Sequence, residues 1–302
     1  MTLLAVTEDE AGVEPGGLAR SLAALPAAAP VVVMVHGYRY APGRPGRDPH
    51  RSILSLSPEA GCRRVVSWPA RLGLAAPGRL GIAFGWRADG TIWQADARAA
   101  GAGRALARVI AALDGRPVTI LAHSMGARVA LAALPALPAG AVTRLILMNP
   151  AELRHRAAPA LACPAGGAAR VVNVLSRANA AFDLTFERLI APLDPNARSI
   201  GRGLGMAGPS GRVEMDIDDA HTLGALAALG HPVAAPAARI CHWSGYLREG
   251  LFGLYAALIE GRLCETRLAR ALPAPVRTGT PAPAQAQPPL PIGVEASCWH
   301  PS

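Results

Sequence analysis

The pentapeptide Ala122-His-Ser-Met-Gly126 constrains the fold of this chain more than any other feature of its sequence. It follows the apolar run 117–121 and precedes the small-residue run 127–133, so the local order is strand, tight turn and helix. A serine in such a turn projects its hydroxyl above the sheet, and small residues two positions away on each side keep the strand and the helix apart. Ala122 and Gly126 meet this requirement. The pattern predicts Ser124 as a nucleophile, although capping of the following helix also explains a serine at this place.

A second informative turn lies upstream of the serine. The apolar run 31–35 is typical of a buried strand, and it ends in His36 and Gly37, followed by Tyr38. A glycine at this place lets the backbone approach a substrate closely, which a Cβ atom would obstruct. The two turns together favour a catalytic site over a simple helix cap.

With these two turns the chain resembles the α/β-hydrolase superfamily, and within it poorly characterised bacterial esterase-like serine hydrolases. Trp68-Pro69 and the late segment His242-Trp-Ser add to the resemblance, which covers about residues 28–262. It implies a doubly wound, mostly parallel sheet of about seven to eight strands with an irregular cap or lid segment. The His-Gly turn would follow the third strand of that fold, and the serine would follow the fifth.

The resemblance also implies an oxyanion hole made by two backbone N–H groups. One belongs to the residue after the nucleophile, here Met125, and the other to the loop after the His-Gly strand, most simply Tyr38. Gly37 and Gly126 would support the two turns. His36 is expected to have a structural role.

Apolar runs alternate with helical patterns along the chain, which indicates parallel strands joined by crossover helices. The predicted strands are about 30–35, 64–68, 80–85, 117–122, 143–148, 170–175 and 212–217. The predicted helices are about 92–113, 126–136, 219–229 and 246–260.

A chain of 302 residues with 51% hydrophobic residues has room for one large α/β domain. We expect this domain over 1–272, with a proline-rich possible lid at 38–79 and a possible helical insertion at 219–236. The tail 273–302 is rich in proline and alanine and is expected to be disordered or polyproline-like.

A serine nucleophile needs a base and a group that orients the base, and in the family these follow the serine in the order acid, then histidine. The acid normally lies after a late strand, and 170–175 fits that strand best. Asp183 is therefore the predicted acid, although it would also suit a helix start. Asp194 is the alternative acid. Asn179 occupies a position where some relatives carry the acid, and an asparagine there could orient a tautomer of the histidine without stabilising the imidazolium.

Eight histidines are available as the base, and chain order removes those before Ser124 and before the acid strand. His242 is the predicted base because it lies on the loop that precedes the last long helical pattern. His221 remains an alternative because it directly follows a strand-like run, and His231 is a weaker one. Choosing His242 requires the insertion at 219–236.

Composition excludes several other classes of site. The chain has no lysine, so it lacks the residue that a Walker A phosphate loop or a lysine Schiff base requires. The five cysteines are widely spaced and form no metal-ligand motif, and we expect neither a metal nor an organic cofactor. The net charge of +9 comes from scattered arginines with 4% aromatic residues, which does not favour nucleic-acid binding.

The chain shows no signal-peptide pattern and no apolar stretch long enough to span a membrane, so we expect a cytoplasmic protein. The sequence thus predicts a serine hydrolase that cleaves a small-molecule carboxylic ester or thioester through Ser124, His242 and Asp183. The alternative is a non-catalytic protein that uses the same fold for binding or as a scaffold.

Overall fold

A single sheet of seven parallel strands forms the centre of the protein. The computed structural model describes residues 2–9, 15–27, 29–59, 64–205 and 211–273. The strands are β1 (Thr2–Thr7), β2 (Val31–Val35), β3 (Leu80–Gly85), β4 (Val118–His123), β5 (Arg144–Met148), β6 (Arg170–Leu175) and β7 (Arg212–Asp216). Their order across the sheet is β1-β3-β2-β4-β5-β6-β7. This confirms the predicted doubly wound α/β architecture.

Helices cover both faces of the sheet. They are α1 (Pro15–Ala23), α2 (Trp68–Arg71), α3 (Ile92–Ala111), α4 (Gly126–Ala133), α5 (Arg154–Ala162), α6 (Pro164–Ala168), α7 (Ala180–Ile190), α8 (Ala220–Ala228), α9 (Ser244–Leu247), α10 (Leu251–Ile259) and α11 (Glu265–Ala271). Side chains of α3 to α7 belong to the core on one face, and those of α2 and α8 to α11 belong to the core on the other. The central strands are therefore buried on both faces, which explains their uninterrupted apolar runs.

The chain reverses its direction of travel across the sheet between β2 and β4. These strands are neighbours, with Val35 beside Ala122, but the connection after β2 leads to β3 on one side and the connection after β4 leads to β5 on the other. Ligands of open α/β sheets bind at the carboxyl ends of the strands where the order reverses. Both turns singled out in the sequence, at 36–38 and at 122–126, lie at this point.

One predicted strand is wrong and one observed strand was not predicted. The run 64–68 forms no strand, because Ser67 caps α2 and accepts a hydrogen bond from the N–H of Ala70, with a proline in the first turn. The unpredicted strand is β1, which pairs with β3 from Thr2 to Thr7 at the edge of the sheet. The other six predicted strand runs correspond to β2 to β7.

The predicted helix 246–260 is interrupted at Gly250, which separates α9 from α10. This glycine has a φ of 92°, and a Cβ atom there would meet the carbonyl oxygen of Pro232. A residue with a side chain would therefore disturb the loop that precedes α9, which is the loop that carries His242.

The described parts of the segment 38–79, which are 38–59 and 64–79, pack onto the sheet. Their side chains Ile53, Leu54, Trp68 and Leu72 are buried in the same core as Met34 of β2. A lid function for this segment stays a prediction.

Helix α8 lies inside the predicted insertion 219–236, and the predicted tail lies outside the described residues from 274 onward. Within the described ranges, no helix combines the length and the apolar character needed to cross a membrane.

Candidate active site

Ser124 occupies the turn between β4 and α4 in a conformation that few residues with a side chain adopt. Its φ is 54°, and its N–H donates to the carbonyl oxygen of Met148 at the end of β5. A non-glycine residue with positive φ costs energy, and such strain is typical of functional turns. Gly126 permits the turn, because a Cβ atom there would lie 2.5 Å from the carbonyl oxygen of Val35. The end of β2 and the start of α4 are therefore in close contact two residues after the serine.

The backbone after β2 lies against the serine. A Cβ atom on Gly37 would lie 2.7 Å from the Cβ atom of Ser124, so only glycine fits without a shift. Among the described residues, neither the N–H of Tyr38 nor that of Met125 donates to a protein acceptor. The hydroxyl of Tyr38 donates to the carbonyl oxygen of Gly90, 2.7 Å away, which ties this turn to the start of the α3 region.

His242 is the histidine that the structure brings to the serine. Its Nε2 lies 2.8 Å from the Oγ of Ser124. His221 is exposed at the start of α8, and His231 follows the end of that helix. Of these three histidines, the structure thus brings His242 to Ser124, and α8 lies between the turn after β7 and the loop that carries His242.

Two side chains hold the backbone of His242. Its carbonyl oxygen accepts hydrogen bonds from Nε2 of His123, at 3.0 Å, and from Nδ2 of Asn149, at 2.9 Å. Asn149 directly follows β5 and has a φ of 41°. It also donates to the Oγ of Ser244, so it contacts the loop at His242 and again two residues later. Asn149 was not predicted from the sequence as part of the site. The only local sign of it is a polar residue directly after a buried strand and before a proline.

The structure differs from the sequence prediction at the third position of the site. Nδ1 of His242 lies 2.6 Å from the Oδ1 of Asn179, at the end of a turn that follows β6. Asp183 lies four residues later in α7 and accepts a hydrogen bond from Nδ2 of Asn179, 2.9 Å away. Asn179 thus contacts His242, and the predicted acid Asp183 contacts Asn179 and not the histidine.

The second oxygen of Asp183 is also satisfied. Oδ1 accepts a hydrogen bond from the Oγ of Ser199 at 3.0 Å, and the whole side chain is buried. Burial raises the pKa of Asp183 to about 7, more than the hydrogen bonds from Ser199 and Asn179 lower it. The nearby carboxylate of Glu187 raises this pKa further, and the guanidinium of Arg202 lowers it.

Burial acts on the histidines of the site in the opposite direction. It lowers the pKa of His242 well below the ordinary value, and the adjacent His123 lowers it further. His242 is therefore neutral near pH 7 and available to accept a proton. Burial lowers the pKa of His123 to about 4 and that of His36 to about 3.

His36 serves the turn that follows β2. Its Nδ1 donates to the carbonyl oxygen of Gly37 at 2.9 Å, and its Nε2 accepts from the N–H of Trp86 at 3.1 Å. Both ring nitrogens are thus used inside the protein, consistent with the structural role expected from the sequence.

Aromatic side chains surround His242 on the outer side. The ring of Phe182 stacks on the imidazole with 4.8 Å between centroids, and Trp243 lies at its edge, 5.9 Å away. The guanidinium of Arg64 lies 4.0 Å from the centroid of the Trp243 ring. Phe182 is 37% exposed, so part of the ring that stacks on His242 lies at the surface. These aromatic residues and Arg64 were not predicted from the sequence as part of a site.

Asp218 joins the turn that carries Asn179 to Arg248, the residue that follows α9. It accepts hydrogen bonds from the Oγ of Ser176 at 2.8 Å and from the N–H of Ala178 at 3.0 Å, and it pairs with the guanidinium of Arg248. These hydrogen bonds lower its pKa against the effect of burial. By contrast, the alternative acid Asp194 is exposed and accepts from the backbone N–H of Asn196 in a turn.

Histidine, cysteine and carboxylate side chains of the described residues form no group of three or more suited to hold a metal ion.

No protein-family model matches the chain, and no curated protein matches its sequence.

Proposed function

We propose that the protein is a serine hydrolase of the α/β-hydrolase superfamily that cleaves a carboxylic ester or a thioester. The observation that carries this proposal is the 2.8 Å contact between the Oγ of Ser124 and Nε2 of His242, made from a strained turn at the switch point of the sheet. Nucleophile and base within hydrogen-bonding distance, with the base oriented by a third group, are the signature of nucleophilic catalysis.

The acylation step follows from these contacts. Nε2 of His242 takes the hydroxyl proton of Ser124 while the Oγ forms a bond to the substrate carbonyl carbon. The electron pair of the carbonyl double bond moves to its oxygen, which accepts hydrogen bonds from the N–H groups of Tyr38 and Met125. As the double bond re-forms, the bond to the leaving group breaks, and His242 gives its proton to that group. The product is an ester of Ser124 with the acyl part of the substrate.

Deacylation repeats the same steps with water. His242 takes a proton from water, and the resulting hydroxide attacks the acyl carbon. The Oγ of Ser124 then leaves with the proton from His242, and the carboxylic acid departs. An alcohol or amine in place of water would give acyl transfer by the same groups.

One observation favours the alternative of a non-catalytic binding protein. The group in contact with Nδ1 of His242 is the neutral amide of Asn179, whereas a carboxylate stabilises the imidazolium that forms when the base takes a proton. Asp183 still supplies a negative charge when ionised, but one amide group farther away.

A fluorophosphonate probe tests the proposal, because it reacts with activated serines without resembling one particular substrate. Wild-type protein should be labelled, and Ser124→Ala and His242→Ala should not. His221→Ala is the matched control for removing a histidine, since His221 is exposed and away from the serine, and it should be labelled like wild type. A well-folded wild-type protein that is not labelled, or labelling that survives Ser124→Ala, would argue against this function.

A further inference from the structure

We infer that Asp183 is a positioning residue, which fixes the orientation of the Asn179 amide and thereby decides which nitrogen of His242 carries the proton. The inference deepens the proposed function and rests on it, because the position of that proton matters only if His242 acts as a base. The two residues differ in their roles: Asn179 contacts the histidine, and Asp183 acts only through Asn179.

The two ends of an asparagine amide have nearly the same shape but opposite hydrogen-bonding character. The oxygen accepts and the NH2 group donates, so neighbouring groups decide which way the amide points. An ionised carboxylate can only accept. The Oδ2 of Asp183, 2.9 Å from the amide, therefore requires the NH2 group of Asn179 to face it. The amide oxygen is then left to face Nδ1 of His242.

The amide oxygen in turn dictates the state of the imidazole. Since Oδ1 of Asn179 only accepts, Nδ1 of His242 must carry the hydrogen of the neutral ring. Nε2 is then left with a lone pair directed at the hydroxyl of Ser124. With the amide reversed, its NH2 group would donate to Nδ1, the proton would lie on Nε2, and His242 could not deprotonate the serine.

The surroundings of Asp183 suit this task. Ser199 donates to its other oxygen, and a Cβ atom on Gly201 would collide with that oxygen. The carboxylate is thus held on two sides and kept out of water. Its place in the first turn of α7 would favour any acid, because of the helix dipole. The dipole does not explain why the carboxylate is buried and directed at Asn179.

Asp183 fixes the orientation of the Asn179 amide only when its carboxyl group is ionised. A neutral carboxyl group can donate as well as accept, so it no longer forces one orientation on the amide. The charged or titratable groups around Asp183 are Glu187 on its own helix, Arg202 on the adjacent turn, and His242 beyond Asn179. Because burial raises the pKa of Asp183 to about 7, we expect the control to weaken as the pH falls through that value.

The test is an exchange of the two side chains. In Asp183→Asn, the new amide can donate to Oδ1 of Asn179, which permits the reversed orientation. Combining Asn179→Asp with Asp183→Asn places the carboxylate against His242 and the amide behind it, with the same number of atoms. The state of His242 is measured at pH 8 by proton–nitrogen correlation NMR on protein with 15N-labelled histidine. The His242→Ala spectrum identifies the signal among those of the eight histidines.

We expect the proton of His242 on Nδ1 in the wild type, on Nε2 for a large fraction of Asp183→Asn, and on Nδ1 again in the exchange variant. The rate of fluorophosphonate labelling should fall in Asp183→Asn in proportion to the fraction of His242 that carries its proton on Nε2, and recover in the exchange variant. In the wild type the rate should decline as the pH falls through about 7. In the exchange variant this decline should move to a lower pH.

The inference is overturned if Asp183→Asn keeps the proton on Nδ1 and is labelled at the wild-type rate. It is also overturned if Asp183→Asn unfolds and the exchange variant does not recover, because Asp183 would then serve the fold alone. A wild type with the proton on Nδ1 that is never labelled has a different meaning. That result would contradict the proposed hydrolase and leave the effect of Asp183 on His242 intact.

Discussion

Nε2 of His123 donates to the carbonyl oxygen of His242 over 3.0 Å, so the residue before the candidate nucleophile holds the residue that would deprotonate it. The two imidazole rings lie 4.8 Å apart, and both are neutral near pH 7 because burial lowers their pKa values. Position 123 thus couples the strand β4 to the loop that carries the base. A change at this position tests whether that coupling matters.

Replacing His123 by phenylalanine keeps a ring of similar size but removes the donor, whereas glutamine keeps an N–H donor at the corresponding distance along the side chain. We expect His123→Phe to slow fluorophosphonate labelling about 5-fold, the effect of one lost hydrogen bond of about 1 kcal/mol, and His123→Gln to stay near the wild-type rate. Asn149 still holds the same carbonyl in both variants, so the fold should persist. Equal rates for the two variants would show that the hydrogen bond has no part in positioning His242.

The parts of the site that the sequence predicted are those with a local pattern. Ser124 and Gly126 lie in a turn whose flanking strand and helix are readable from adjacent residues, and Gly37 follows a buried strand in the same way. His242 was chosen from its place before the last helical pattern. In each case the end of a secondary-structure element fixes where the side chain lies.

The third group was harder to predict because Asn179 and Asp183 lie four residues apart, where β6 passes into α7. Residues at this spacing lie on the same side of a helical turn, so sequence spacing cannot decide which of them reaches the histidine. His123 and Asn149 contact His242 across 119 and 93 residues of the chain. Such contacts depend on the order of strands in the sheet, which the apolar runs alone do not reveal.

Gly37→Ala should impair the site without abolishing the fold. The added Cβ atom would lie 2.7 Å from the Cβ atom of Ser124 and 3.0 Å from the carbonyl oxygen of His123, so the turn that carries Tyr38 must move. We expect labelling to fall at least about 10-fold, because an oxyanion donor is displaced. Gly224→Ala in α8 is the matched control, since nothing lies within 4 Å of its added Cβ atom. It should be labelled like wild type and be slightly more stable. Unchanged labelling of Gly37→Ala would remove the turn after β2 from the site.

Phe182→Ala tests how the aromatic neighbour sets the proton affinity of His242. The stacked ring keeps water from one face of the imidazole, and loss of water is the main reason that the pKa of His242 is low. Removing the ring should raise this pKa toward 6.5, so the imidazole becomes protonated at a higher pH than in the wild type. NMR titration of His242 measures this directly. Leu184→Ala provides a control on the same helix, because Leu184 is also exposed but has no ring on His242. An unchanged pKa of His242 in Phe182→Ala would show that other side chains, and not Phe182, keep water from the imidazole and lower its pKa.

Asp183→Asn should stabilise the fold above neutral pH while it impairs the site. The native protein holds a proton on Asp183 up to about pH 7, whereas the unfolded chain releases it near pH 3.8, so the free energy of unfolding falls as the pH rises between these values. Asparagine cannot ionise and avoids this loss, which is on the order of a few kcal/mol. Urea unfolding of both proteins at pH 5 and pH 8 measures the difference between their free energies of unfolding. The buried histidines contribute equally to both proteins, so their contribution cancels in this difference. The advantage of Asp183→Asn should be larger at pH 8. An equal difference between the two proteins at pH 5 and pH 8 would mean that Asp183 is already ionised at pH 5 in the folded protein, so that its pKa is not raised to about 7.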